Sequence, residues 1–311
     1  MKNPARSSGA APHADIGARL MLVALGLIWG VTWPVMKIAL NEIPPLTMRA
    51  TAAALGAVTY YLLCVGMRRS LRIPSARAWG HVLVASLLNI VAFSLFSAFA
   101  QLVATTSRVA ILAYTMPIWS TLLAWPFLGE RPNRVQATAL MLCGAGLGIL
   151  IYPLTANGIP LGIVFALAVG VCWAAGTVYV KWAHIEADQM GVGSWQITIA
   201  AVILIACMLI FDGAPHFGRA HLDGLAATAW TGIAGNGVAY ALWFTVIRRL
   251  PAVTASLGVL ASPVIGVIGS FLILGEVPTL ADMIGFALIF VASACVLLTR
   301  QSMVETASHA A

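Results

Sequence analysis

Apolar stretches of about twenty residues alternate with short polar breaks along almost the whole chain. A helix needs about 20 apolar residues to cross the hydrocarbon core of a bilayer. Ten stretches meet that length and are predicted as transmembrane helices: 18–40, 45–66, 79–101, 105–128, 134–153, 159–182, 190–211, 224–247, 252–274 and 279–299. The breaks carry Pro44-Pro45, Gly129 to Pro132, Pro153, Gly158 to Pro160, Pro251 and Gly275 to Pro278, residues that end helices. Such short connections make successive helices antiparallel neighbours. The fold class that follows is all-α and integral to the membrane.

The pattern repeats. Pro117 is followed by an apolar run that stops at Gly129-Glu130-Arg-Pro132, and Pro263 by one that stops at Gly275-Glu276-Val-Pro278, with a constant offset of 146. Trp29 and Lys37 of the first span match Trp173 and Lys181 of the sixth. Asn89-x-Val91-Ala92-Phe93 of the third matches Asn236-x-Val238-Ala239-Tyr240 of the eighth. The chain therefore divides into a tail at 1–17, a five-helix repeat at 18–153, a second at 159–299 and a tail at 300–311. Five is odd, so the second copy enters the membrane inverted. Inverted repeats with a site near the midplane are a transporter architecture.

Composition sharpens this picture. The chain is 61% apolar and 9% charged, against about 25% charged in soluble domains, which excludes a soluble core of this size. The net charge of +7 does not imply a nucleic-acid partner, because the cations sit in short loops where they set topology. With the N-terminus in the cytoplasm, only Lys37, Arg49, Arg108 and Arg219 fall on the outer side. Both termini are expected to be cytoplasmic, in a bacterial inner membrane. No removable signal peptide is expected, because the polar start lacks a cleavage site after its apolar run.

In Trp29-Gly30 leading to Lys37, Pro45-Leu46 leading to Arg49, and the two Pro…Gly-Glu-x-Pro segments, the chain resembles the drug/metabolite transporter superfamily, in particular its EamA-type ten-helix branch. The resemblance covers residues 18 to 299. It implies transport of small metabolites, with export of amino acids or related compounds as the expected activity.

Trp29, Trp33 and Lys37 share one helical face, as do Trp173, Thr177 and Lys181. They read either as cavity walls or as interfacial anchors with snorkelling lysines. Asn89 and Asn236 are polar inside spans and need partners, from a substrate or a neighbouring helix. Each precedes an aromatic by four positions, Phe93 and Tyr240. Tyr114 and Trp243 complete the cavity candidates. Arg49 and Arg108 lie inside outer helix ends, with approximate counterparts Gln196 and Thr254. They read as an anion-binding mouth or as partners of Glu42 and lipid headgroups. Pro117 and Pro263 are expected to bend their spans and act as hinges. Gly129, Glu130, Gly275 and Glu276 read as turn and capping residues.

No acid lies in the middle third of any span, so a proton relay would have to use Glu42, Glu130, Glu276 or His81. No metal, cofactor or catalytic motif stands out. The expected partners are a small-molecule substrate and lipid, and a monomer would suffice. A membrane scaffold and an intramembrane group-transfer enzyme remain alternatives.

Overall fold

The computed structural model describes residues 16–154, 160–218, 220–249 and 261–309. The tail up to residue 15, Gly158, Arg219, Pro251 and Thr254 lie outside the described residues.

The described chain is helical almost throughout. Helix α1 runs Ile16–Glu42, α2 Pro45–Gly66, α3 Ala76–Val103, α4 Thr106–Leu128, α5 Arg134–Ile151, α6 Leu161–Ala183 and α7 Gln189–Phe211. These seven are long and apolar enough to cross a membrane. Helix α8 joins Leu222–Trp230, Thr231–Val238 and Ala239–Arg249. Helix α9 is Ala261–Leu274 and α10 is Leu280–His309. Large side chains such as Leu62, Met141, Val202 and Leu272 stand exposed on the outer surface, a contiguous liability in water and the normal state against lipid.

Local chemistry sets the helix ends. Pro45 opens α2 from its first turn, where its missing N–H costs nothing. The Ser75 hydroxyl accepts from the Ala78 amide at the head of α3, and Asn133 and Gln136 form a reciprocal capping box on α5. Thr279 and Asp282 make the equivalent exchange at α10. Gly129 and Gly275 end α4 and α9 with φ of +72° and +69°, a conformation that favours glycine. Each then donates to the carbonyl four residues back, Trp125 at 3.0 Å and Phe271 at 3.1 Å.

The glutamate after the second of these glycines joins distant parts of the chain. Glu276 accepts from the Thr106 and Ser107 amides at 2.8 and 2.9 Å and from the Ser107 hydroxyl at 2.9 Å. It thereby caps α4 from 170 residues away. Glu276→Ala should cost about 1–2 kcal/mol, read as a lower melting temperature of the purified protein, with Glu276→Gln losing less.

Three helices are not regular. α3 widens into a π segment at Leu87–Ala92 and α8 at Thr231–Val238, and each segment contains one of the two in-span asparagines. α4 breaks at Tyr114 and Thr115, and Pro117 then sits in the first turn of its second half, Met116–Leu128. The interruption so precedes Pro117. Pro263 is buried near the start of the described part of α9.

Packing pairs helices across the chain. α2 lies against α7 and α5 against α10. α1 lies against α8 and α9, and α6 against α3 and α4. Close approach depends on glycine: a Cβ on Gly146 would lie 2.9 Å from the Gly285 carbonyl oxygen, and one on Gly285 2.9 Å from that of Gly146.

Candidate functional site

The π segment of α8, the break in α4 and the faces of α1, α2, α3 and α6 surround a cavity of about 220 Å³. An apolar cavity of about 150 Å³ already accepts benzene, so this one has room for a compact metabolite. Trp29, Trp33, Phe93, Tyr114, Trp173, Asn236, Tyr240 and Trp243 line it. Thr32, Met36, Arg49, Met116, Pro117, Thr231 and Gly235 complete the wall.

The aromatic rings form a connected chain. Trp33 touches Phe93, Phe93 touches Trp173, Trp173 touches Tyr240, and Tyr240 and Trp243 both touch Trp29, with centroids 5.3 to 6.3 Å apart. Those separations are attractive for aromatic pairs, so the rings hold one another in place. Several polar wall groups are already engaged. The Trp29 indole N–H donates to the Gly235 carbonyl at 3.2 Å. The Thr32 and Thr231 hydroxyls donate back to Ile28 and Ala227. Two groups are not so engaged. Asn236 makes no side-chain hydrogen bond among the described residues. Arg49 is 4% exposed, donates to the Ser97 hydroxyl, and has an Nε with no acceptor.

Other expected positions fall elsewhere. Asn89 does not line the cavity. It turns toward α6 and α7, where its amide nitrogen lies 3.4 Å from Gln196 Oε1 and its oxygen packs over Gly176. Phe93 lines the cavity and Asn89 does not, so the shared face expected for that pair does not hold. Lys37 is also off the wall. Its ammonium donates to the Gln101 carbonyl in the last turn of α3, where the helix dipole favours a cation. Lys181 pairs with Glu130 on an exposed edge. Neither lysine belongs to the cavity.

Arg108 pairs with neither Glu42 nor an open mouth. Its guanidinium forms a bidentate bridge to Asp282, with Nε to Oδ1 at 2.6 Å and Nη2 to Oδ2 at 3.0 Å. Glu42 instead accepts the His221 amide at 2.8 Å. His81 meets the Tyr179 hydroxyl at 2.8 Å. The acids and the histidine considered as proton relays thus all have structural partners outside the cavity wall. Among the described residues no three His, Cys, Asp or Glu side chains gather as a metal site.

Thr32 and Met36 were legible as members of the Trp29 and Trp33 stripe, at helical spacings of three and four. Thr231 and Gly235 lie in the π segment, where that spacing fails. Asp282 was hidden because a Thr-x-x-Asp start reads as an ordinary cap.

Residues 17–152 and 160–298 both match the EamA-like transporter family. The chain belongs to the EamA-like transporter family. Relatives of this EamA-like chain include the uncharacterized transporter YoaV of Bacillus subtilis (strain 168), 25% identical over 87% of this chain and 93% of its own length. The uncharacterized inner membrane transporter YedA of Escherichia coli (strain K12) is 25% identical over 89% of each chain. A solved crystal structure shares the fold with a TM-score of 0.64 at 21% identity, over 93% of this chain and 99% of that one. The EamA-like chain is therefore a multi-pass membrane protein of a transporter family.

Proposed function

We propose that this protein is an inner-membrane carrier that exports small amphiphilic metabolites, such as amino acids or related compounds. It works by alternating access between two inverted five-helix repeats, at 18–153 and 159–299, with both termini cytoplasmic. The observation that carries this reading is the aromatic cavity, built jointly by α1 to α4 of one half and α6 and α8 of the other. A rigid apolar wall with a few unspent polar groups is what a small ligand requires.

The helix contacts support the repeat. Exchanging the halves turns the pair α1 and α9 into α6 and α4, and the pair α1 and α8 into α6 and α3, both of which occur. The two left-handed glycine caps and the two π segments are likewise equivalent. Rocking one repeat against the other would expose the midplane cavity to each side in turn. A scaffold has no need of a ligand-sized cavity, and the relatives are named as transporters, so we read the chain as a carrier and not an enzyme.

Counterflow in proteoliposomes loaded with labelled amino acids, nucleosides or amines tests the proposal. Saturable counterflow of one class is expected, and inside-out vesicles should show the export direction. Trp173→Ala removes the ring that joins Phe93 to Tyr240. It should lower counterflow by about tenfold at unchanged membrane abundance. Normal counterflow in Trp173→Ala and in Asn236→Ala would overturn the cavity assignment.

A further inference from the structure

A buried guanidinium without a carboxylate is expensive in a membrane protein unless something supplies the missing charge. Arg49 is in that position. It lines the cavity, its Nε has no acceptor, and no described carboxylate lies within 4.0 Å of it. Arg108 shows the alternative, since its guanidinium is fully paired with Asp282.

The comparison between the halves is sharper. Asn89 and Asn236 occupy equivalent places, and Gln196 is the approximate counterpart of Arg49. At one of the two equivalent crossings, Asn89 of the first repeat donates to Gln196 of the second. At the other, Arg49 of the first repeat and Asn236 of the second both face the cavity, and Asn236 has no described side-chain hydrogen-bond partner. The same two positions are closed as a packing contact on one side and left as donors on the other. The cavity wall carries no Asp or Glu among the described residues, so no carboxylate there would pair with an ammonium.

Resting on the carrier reading above, we infer that the cavity selects compact organic anions, with a substrate carboxylate held by Arg49 and assisted by Asn236, and its apolar body among the rings of Trp29, Trp173 and Tyr240. A guanidinium can present two parallel N–H groups to a carboxylate, and Ser97 holds one of its nitrogens. The amide N–H of Asn236 can donate to the same ligand. The aromatic faces exclude water, which strengthens both contacts. An α-amino group is tolerated by the rings but is not required.

The cavity tryptophans provide the readout. Purified protein is titrated with cyclohexanecarboxylate, cyclohexanecarboxamide and cyclohexylmethylamine, three non-fluorescent compounds of similar size, while tryptophan emission is followed. The carboxylate should change emission saturably, with an affinity at least about tenfold above that of the other two. Arg49→Gln should abolish that preference and leave the weak amide response in place. Because Arg49→Gln could misfold, Asn236→Asp serves as the second variant. It leaves Arg49 intact, gives it an internal carboxylate, and should weaken carboxylate binding about tenfold or more in a monodisperse protein.

Equal affinity for carboxylate and amide, a preference for the amine, or unchanged carboxylate binding in either folded variant would overturn the inference. A saturable response from none of the three would overturn it as well. The counterflow panel decides separately whether the protein is a carrier. Counterflow of amines or neutral solutes would preserve the carrier reading while sinking the anion selectivity.

Discussion

Asp282→Ala is expected to destabilise the protein by about 3–5 kcal/mol, the usual result of removing one partner from a buried ion pair. Its side chain is 5% exposed and that of Arg108 21%, so solvent takes over only part of the lost charge. Four interactions fail together. The two guanidinium contacts go, and with them the Thr279 amide and hydroxyl bonds at 2.9 and 2.7 Å. The residue-282 amide still donates to the Thr279 hydroxyl, so the bridge and the reciprocal half of the cap are lost in one step. The measurement is thermal unfolding in detergent, followed by loss of the monodisperse chromatographic peak. Arg108→Ala alone should show a similar loss, whereas Arg108→Met with Asp282→Asn should recover part of it, because no bare charge is left behind. Full stability of Asp282→Ala would mean that the bridge is a surface accident.

Gly146→Leu is the second large effect. At the crossing of α5 and α10 the two backbones touch, and each glycine faces the other's carbonyl oxygen at 2.9 Å from an ideal Cβ. Leu288 and Ile289 crowd the same spot at 3.0 and 3.1 Å. A Cβ there meets backbone rather than a side chain that can swing away, so the helices must separate. Overpacking of this kind costs about 1–3 kcal/mol and sometimes more. Because small-residue crossings hold membrane helices together by close approach, a reduced yield of folded protein is expected. Gly148→Leu is the control. It lies on the same helix with nothing within 4 Å and should be tolerated.

Much of this was legible in the amino-acid order. Apolar length located the seven described helices that are long enough to cross a bilayer, because lipid demands about twenty such residues whatever the packing. Eight of the nine cavity candidates line one cavity, because aromatic and amide groups inside a span have few places to go but inward. What sequence could not resolve was which polar groups meet. Arg49 and Arg108 look alike at the ends of their spans. One is bound by Asp282 from the far end of the chain, and the other turns into the cavity. Lys37 was placed on the stripe of Trp29 and Trp33, but a long side chain reaches the Gln101 carbonyl instead. Such outcomes depend on tertiary distance, which no spacing rule contains.

The π segments have a consequence for anyone counting along these helices. A wide turn holds an extra residue, and one residue of α-helix is about 100° of rotation. Leu87–Ala92 and Thr231–Val238 therefore act as angular spacers. The half of α8 before the spacer donates the Trp230 indole N–H to the Thr32 hydroxyl of α1, while the half after it aims Tyr240 and Trp243 at Trp29. A single helical wheel drawn through α8 misassigns one half or the other. Deleting one residue inside the spacer would leave composition and length almost unchanged, yet turn the aromatic face away from its partners like a key cut on the wrong edge.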